Sequence, residues 1–495
     1  MSPWDRLLAA AVAPTAALEA ALADPGGSQR RLLATLIARH AETDFGRVHR
    51  FAGIDGSDAY RAAVPVRPPE AFRGWIDRMA AGETGLLTAD RPIAYEETGG
   101  TSAGAKLVPL TPAALEAFRA AVLPWLADLA RRRPGVTRGR AYATISPATR
   151  PARTTPDGSP IGLSDASYLG ADLAEAFVAL LAVPPEIARI GDVDDWRRAT
   201  LASLVEAEDL ALVSVWSPTF FLDLVEALPR EAEPLASMLT PAARLRLARA
   251  LSAPGLDTTA LWPRLDTVSC WADAASAPFA RRLAERCPQA RIEPKGLLAT
   301  ESAITLPFGD DGDGRLPALT SAVIEFVDTD GDVHLADDLE RGASYEIVLT
   351  TPGGLWRWAI GDRVACVGHR GAAPRLVFLG RSGLVGDLVG EKLDEAFVAG
   401  VLGRLDRPAA LVARTDPPRW ELWIDAADLD PSAAAREIDA ALRADPQWAH
   451  ARDLGQLPPL VGRSKPGFVA ARAEARAKVG RRLGVEKPAA VVLDP

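Results

Sequence analysis

The spacing of apolar and polar positions changes character along the chain. Up to about residue 90, apolar residues recur mostly at helical intervals, and the opening run MSPWDRLLAAAVAPTAALEAALAD predicts an amphipathic helix. Beyond it, apolar runs of strand length (AYATIS, ALVSVWS, SAVIEFVD, SYEIVLTT, RVACVG) interleave with Ala/Leu/Arg-rich helical stretches. That pattern predicts an α/β protein. The segments GGLWRWAIGDRVACVG and PRLVFLGRSG read as the closing strands of the main body. The chain restarts with a helix at DEAFVAGVLGRL, a strand pair at ALVART and WELWID, a helix at PSAAAREIDAALRA and a terminal helix at FVAARAEARAKVGRRLG. The expectation is a large N-terminal domain of mixed sheets and helices, residues 1–380, and a small α+β C-terminal domain, residues 381–495. The short polar joint Gly380-Arg381-Ser382 is the expected hinge.

Composition narrows the function. At 48% hydrophobic and 24% charged, 495 residues can fill more than one core, and global disorder is excluded. A formal net charge of −9 repels phosphate backbones and anionic lipid, so neither nucleic acid nor a membrane is expected as a partner. Cys270, Cys287 and Cys366 are isolated, which fits a reducing compartment and encodes no zinc site. No apolar run is read as approaching the roughly 20 residues of a membrane span. Asp5, Pro14 and Glu19 break the plan of a signal peptide, so a cytoplasmic protein is expected. No fixed-period repeat is present.

The stretch YEETGGTSAGAKLV, residues 95–108, contains a literal G-x-S-x-G at Gly100–Gly104. A nucleophile elbow would need a strand running into Ser102 and a helix leaving at once. Here the residues after the loop, KLVPL, read as a second strand, and a helix starts only at Thr111-Pro112, with Thr as cap. Glycines that admit an anion, hydroxyls that bond it and the adjacent Lys106 are also the ingredients of a phosphate loop, although not of a Walker motif. A phosphate loop and an inert Gly-rich turn both remain open on these residues alone, and Lys106 by itself reads as a solvated side chain.

Other candidates give less. His40, His49, His334, His369 and His450 have no ligand spacing. DTDGDVHLADDLE resembles a calcium loop at Asp328, Asp330 and Asp332, but Val333 and Leu339 occupy the positions of the obligatory Gly and Glu, so a hairpin turn is expected. Trp216, Phe220 and Phe221, around a helix start at Ser217-Pro218, could wall an acyl pocket or simply fill the core.

Three further stretches carry a resemblance. KGLLATES reads as a short apolar strand ending in Thr300-Glu301. LWRWAIGDRV reads as placing Asp362 after Gly361 in a tight turn between strands, and FLGRSGLVGDLVGEKLDE carries Arg381 and Lys392. With the Thr98–Gly104 loop, and with RRLGVEKPAAVVL near the C-terminus, these segments resemble, in order and over nearly the whole chain, the motifs of the acyl acid amido synthetases. That auxin-responsive promoter family belongs to the adenylate-forming superfamily. Two departures stand out: Trp356 and Trp358 replace two Tyr of the family's turn, and Thr300 replaces a Ser before the Glu.

The resemblance implies an ATP-dependent ligase with an adenylate-forming-type N-terminal domain, converting a carboxylic acid to an acyl adenylate and passing it to an amino acid. It implies phosphate binding by Thr98, Gly99, Gly100, Thr101, Ser102 and Gly104, and an adenine lined by Gly296, Leu298, Ala299 and Thr300. It further implies ribose hydroxyls on Asp362, a cofactor contact from Arg381, Mg²⁺ on Glu301, and catalytic cations at Lys392 and Lys487. Delivery of the acyl group to a thiol, of CoA or a carrier protein, is the neighbouring alternative. A serine hydrolase using Ser102 is the alternative from another class. A monomer or weak dimer acting on small carboxylic acids and amines completes the expectation.

Overall fold

The structure is a computed structural model describing residues 1–98, 106–143, 153–252, 255–273, 276–309, 312–381, 385–386, 388–389, 391, 393–415, 417–478 and 488–493. The chain forms two compact units. One comprises Met1–Pro134, Pro151–Leu180 and Gly296–Val377, the other Gly135–Arg150, Leu181–Lys295 and Phe378–Pro495.

The first unit opens with the helix Pro3–Ala23. Ser2 and Asp5 cap it reciprocally, and Pro3 occupies the first turn, where its missing N–H costs nothing. Trp4, Leu7, Ala11 and Leu18 are buried, and the helix packs against helices Pro112–Arg132 and Ala171–Leu180. By length and composition it is apolar enough to cross a membrane, with a mean hydropathy of 1.4, which corrects the expectation that no stretch reaches that length. The physical reason is that its few charges cluster near its ends while Ala, Leu and Val fill the middle. In this fold one side of it is spent on helix packing.

A five-stranded sheet follows in the order Val333–His334, Val323–Val327, Ser344–Thr350, Trp358–Arg370, Ala373–Arg381; its first four strands are antiparallel and lie in this unit, which the last strand leaves after Val377. The DTDGD segment is a hairpin turn. The Asp328 carboxylate accepts from the backbone N–H groups of Asp330 and Asp332 and pairs with His334 Nε2 at 2.8 Å. Beside the sheet Trp356 stacks on Phe45 and meets Phe51 and His40 edge-on. Both Trp residues that depart from the family motif are thus core residues: Trp356 and Trp358 are buried, and Trp356 Nε1 donates to the Leu87 carbonyl at 2.8 Å.

The second unit contains a four-stranded sheet of strands Arg140–Ala143, Leu210–Ser214, Thr267–Cys270 and Arg291–Pro294, all parallel. One face of this sheet is apolar and lies in a hydrophobic core. Tyr142, Val213, Val268, Trp196, Phe220, Phe221 and Trp262 share one core. The same unit carries a second sheet, in the order Val461–Ser464, Pro418–Ile424, Ala409–Thr415, Val491–Val492. Its core is built from Leu411, Trp420, Leu422, Ile424, Ile438 and Trp448. Cys270, Cys287 and Cys366 are free and buried; burial pushes the Cys270 and Cys287 thiols up to about 12, too high to be nucleophiles at neutral pH.

Candidate functional site

Two paired strands precede and follow the Gly-rich segment in sequence. Ala94–Thr98 runs antiparallel to Lys106–Leu110 with Thr98 directly opposite Lys106, so both ends of residues 99–105 are pinned. Gly99, Gly100, Thr101, Ser102 and Gly104 lie outside the described residues. The helix begins only at Pro112, where Thr111 Oγ1 accepts from the Ala114 N–H at 3.1 Å. The described element that follows the segment is the strand Lys106–Leu110, where a nucleophile elbow needs a helix. Lys106 forms an ion pair with Glu70 and holds that carboxyl below its usual range. On the strand Ala94–Thr98, the buried Glu96 carboxylate accepts from the Leu163 N–H at 2.9 Å and the Tyr168 hydroxyl at 3.0 Å, tying this strand to the 160–168 segment.

KGLLATES is not the strand its apolar run predicts. The strand ends earlier, at Arg291–Pro294. Past that strand the chain forms a tight hairpin in which Leu298 bridges Ala303, and the Ala299 N–H reaches the Ser302 carbonyl at 3.0 Å, leaving Thr300 and Glu301 at the tip. The reason lies in Gly296. A Cβ there would come within 1.8 Å of the Thr305 carbonyl oxygen, so the segment is laid against Thr305, whose hydroxyl accepts from the Leu297 N–H at 2.8 Å. An isolated hydrophobic run cannot announce that contact.

Asp362 likewise differs from its expected turn. It lies within the long strand Trp358–Arg370, at a bulge where the pairing with Ser344–Thr350 skips between Glu346 and Val348. Gly361 takes the positive φ, +76°, that lets the strand gain its extra residues. Bulges re-aim a side chain, and Asp362 is only 4% exposed. The neighbouring Arg357 is a structural cation. It has φ +47°, and its Nε donates to Glu325 Oε2 at 2.8 Å while Nη1 donates to the Val64 carbonyl at 2.9 Å.

Of the later cations, Lys392 and Lys487 lie outside the described residues, and Arg381 ends the strand Ala373–Arg381, with its side chain outside them. Their surroundings are fixed. Glu391 is fully buried and accepts from the Leu388 and Val389 N–H groups and from Trp420 Nε1 at 2.6 Å, which anchors the residue before Lys392 in sequence. Glu395 Oε1 accepts from the Ala490 N–H at 3.1 Å, and Val491–Val492 adds an edge strand, so the chain is tethered three residues after Lys487. Gly380, in the expected hinge, has φ +149° and passes so close to Ala396 that a Cβ would sit 2.6 Å from it.

Phe220 and Phe221 belong to the hydrophobic core, whereas Trp216 lies beside Lys295, whose Nζ is 5.6 Å from the centre of its ring. Lys295 is a residue that the sequence patterns passed over. Its one signal is a cation set directly after the strand RIEP.

Two family models match this chain: the GH3 family N-terminal domain over residues 15–242 and the GH3 family central domain over residues 316–381, together more than half of it. The chain belongs to the GH3 family. Among curated GH3 proteins, it is similar to a probable indole-3-acetic acid-amido synthetase, GH3.2 of Oryza sativa subsp. japonica. The two are 24% identical over 428 residues, covering 76% of this chain and 69% of that protein. It is also 24% identical over 412 residues to indole-3-acetic acid-amido synthetase GH3.15 of Arabidopsis thaliana, covering 72% of this chain and 68% of that protein. The solved structure of AtGH3.15 acyl acid amido synthetase in complex with 2,4-DB matches with a TM-score of 0.83 at 19% identity, over 98% of this chain and 94% of that one. A 2-hydroxyisobutyryl-CoA ligase in its postadenylation state matches at a TM-score of 0.54 and 13% identity, over 93% of this chain and 89% of that one. The GH3 chain therefore has the α/β adenylate-forming fold with its C-terminal domain.

Proposed function

We propose that this GH3 protein is an ATP-dependent acyl acid amido synthetase. The observation that carries the reading is the pair of antiparallel strands Ala94–Thr98 and Lys106–Leu110, which brackets the Gly- and hydroxyl-rich sequence 99–105 in a chain of this family. In the first half-reaction a carboxylate oxygen of the acid attacks the α-phosphorus of ATP, and the bond to pyrophosphate breaks. In the second, an amino nitrogen attacks the acyl carbon, AMP leaves with the bonding electron pair, and the amine gives up a proton.

Such transfers are accelerated mainly by positioning and by cancelling charge. Thr98, Thr101, Ser102 and the glycines around them would hold the phosphates through hydroxyl and backbone N–H groups. Asp362, an acceptor-only group when ionised, suits the two ribose hydroxyls. Gly296, Leu298, Ala299 and Thr300 would line the adenine, in a segment that Gly296 lays against Thr305. Arg381, Lys392 and Lys487 would meet the phosphates and the incoming carboxylate. Trp216 would wall the acyl group; the burial of Phe220 and Phe221 in the core favours a supporting place for them behind it.

Glu301 fits Mg²⁺ on the chemistry of its donor set. Among the described residues no three His, Cys, Asp or Glu side chains gather around one point, and Mg²⁺ characteristically takes one or two carboxylates and completes its shell with phosphate and water oxygens. When bound it would neutralise triphosphate charge. The expected setting is cytoplasmic, with the protein a monomer or weak dimer.

The deciding experiment is acid-dependent exchange of labelled pyrophosphate into ATP across a panel of small monocarboxylic acids. Exchange with at least one acid, followed by conjugate formation with amino acids, is expected. Absence of exchange across the panel would overturn adenylation, and transfer to CoA in place of amines would reassign the acceptor to a thiol.

A further inference from the structure

The parallel sheet of the second unit has two faces of opposite chemistry. Tyr142, Val213 and Val268 point from one face into the main core. On the other, Ser214, Ser269 and Glu293 are direct register neighbours across three adjacent strands, so their side chains form one row. Two members of this row are hidden from water, Ser269 at 0% and Glu293 at 4% exposed, and Ser214 is half-buried. One residue beyond the last strand, Lys295 is 6% exposed, and its Nζ donates to Ser214 Oγ at 2.8 Å under the Trp216 ring. The Ser269 hydroxyl is buried with no hydrogen-bond partner.

Core packing does not account for these residues. Burying an ammonium, a carboxylate and an unpaired hydroxyl on a sheet face costs free energy that Val or Ile would not. The row also lies at the carboxyl ends of parallel strands, where open α/β sheets bind their ligands. We infer that Lys295, Ser214 and Ser269 form a subsite for a small monocarboxylate. Lys295 takes one carboxylate oxygen. The hydroxyls of Ser269 and Ser214, the latter accepting from Lys295 and free to donate its own proton, take the other. Trp216 closes one side. Glu293, two residues before Lys295 on the same side, disfavours a second negative charge, which selects against dicarboxylates.

This subsite rests on the amido synthetase reading, in which both the acid and the amino acid bring a carboxylate, and two assays separate those sources. Pyrophosphate exchange with varied acid needs no amine, and conjugate formation with varied amino acid reports the second substrate. In Lys295→Gln the KM for one of the two is expected to rise about tenfold or more, as for loss of a charge-assisted hydrogen bond, while the KM for ATP stays put. Lys295→Arg restores most of that loss. Ser269→Ala, which removes no bond within the protein, raises the same KM severalfold and serves if Lys295→Gln does not fold. Unchanged KM values for both carboxylates, or a shift confined to ATP, overturn the subsite. A wild-type protein without exchange overturns the synthetase reading instead. Benzoate titration followed by tryptophan fluorescence then decides the subsite, because equal binding by wild type and Lys295→Gln, or none by either, overturns it.

Discussion

Arg357 donates its Nε to Glu325 at 2.8 Å, with both side chains buried and Arg61 donating to the other Glu325 oxygen at 2.8 Å. The Arg of the WRWAIGD segment is thereby committed to holding the strand that carries Asp362. Two guanidinium groups share one carboxylate, and removing its charge leaves the buried Arg357 without that ion pair, whereas the partly exposed Arg61 keeps Asp58 at 3.9 Å.

Glu325→Gln is therefore expected to destabilise the fold by about 3–5 kcal/mol, the range for breaking a buried ion pair from one side. Denaturant unfolding measures the loss. ATP kinetics, read where the variant is folded, stay near wild type; a larger effect on the KM for ATP than on stability would show that this cluster touches the nucleotide.

Asp362→Ala should raise the KM for ATP and slow adenylation. Losing a charged hydrogen-bonding group costs about 1.5–3 kcal/mol, roughly ten- to a hundredfold in kcat/KM. Inosine or 2′-deoxy analogues sharpen the assignment: the variant should lose discrimination against 2′-deoxy-ATP and keep its preference among bases. Unchanged ATP kinetics in a folded variant would make Asp362 a structural bulge residue.

Two titratable groups, the buried His40 and the half-buried Asp223, pull stability in opposite directions with pH. Burial, reinforced by Arg39, lowers His40 to about 4; its Nδ1 accepts from the Ala89 N–H at 3.0 Å. The unfolded ring takes up a proton near 6.5, so this contribution is complete above 6.5 and is lost as pH falls through about 4. Asp223 is pushed up to about 7, first by burial and then by Glu226 and Glu474. The unfolded carboxyl ionises near 3.8, so its contribution is complete below that value and is lost as pH rises through about 7. Accordingly His40→Gln should flatten the decline in urea midpoint between pH 6.5 and 4.5, and Asp223→Asn should gain stability relative to wild type at pH 8 but not at pH 4. Parallel pH profiles for wild type and both variants would remove these groups from the account.

Lys487→Ala should slow adenylate formation about a hundredfold, the size of losing one donor at developing charge, roughly 3 kcal/mol. Attack of an amino acid on chemically supplied acyl adenylate should remain nearly intact, since no pyrophosphate departs in that half. The tether from Glu395 to Ala490 fixes the chain just beyond this Lys, so Glu395→Ala should show a weaker version of the same selective defect. Equal impairment of both half-reactions would exclude a role confined to adenylation.

The sequence by itself determined many of the elements, and its ordered motifs the class of chemistry. Apolar periodicity located the strands Leu210–Ser214, Val323–Val327 and Ala409–Thr415 and the helix Pro431–Leu442, because each buries a regular face and its pattern is local. Thr111-Pro112 marked its helix start for the same reason: a cap is satisfied within one turn. The ordered motifs were enough to indicate the family. Tertiary structure decided what local pattern cannot carry. Gly296 against Thr305 turned an apolar run into a hairpin, and Gly361 with Asp362 became a bulge because a partner strand skipped its register. Ser214, Ser269 and Lys295, scattered over more than 80 positions in sequence, became one polar row only when three parallel strands came into register. Such relationships depend on which distant backbone lies alongside, and that is fixed by packing.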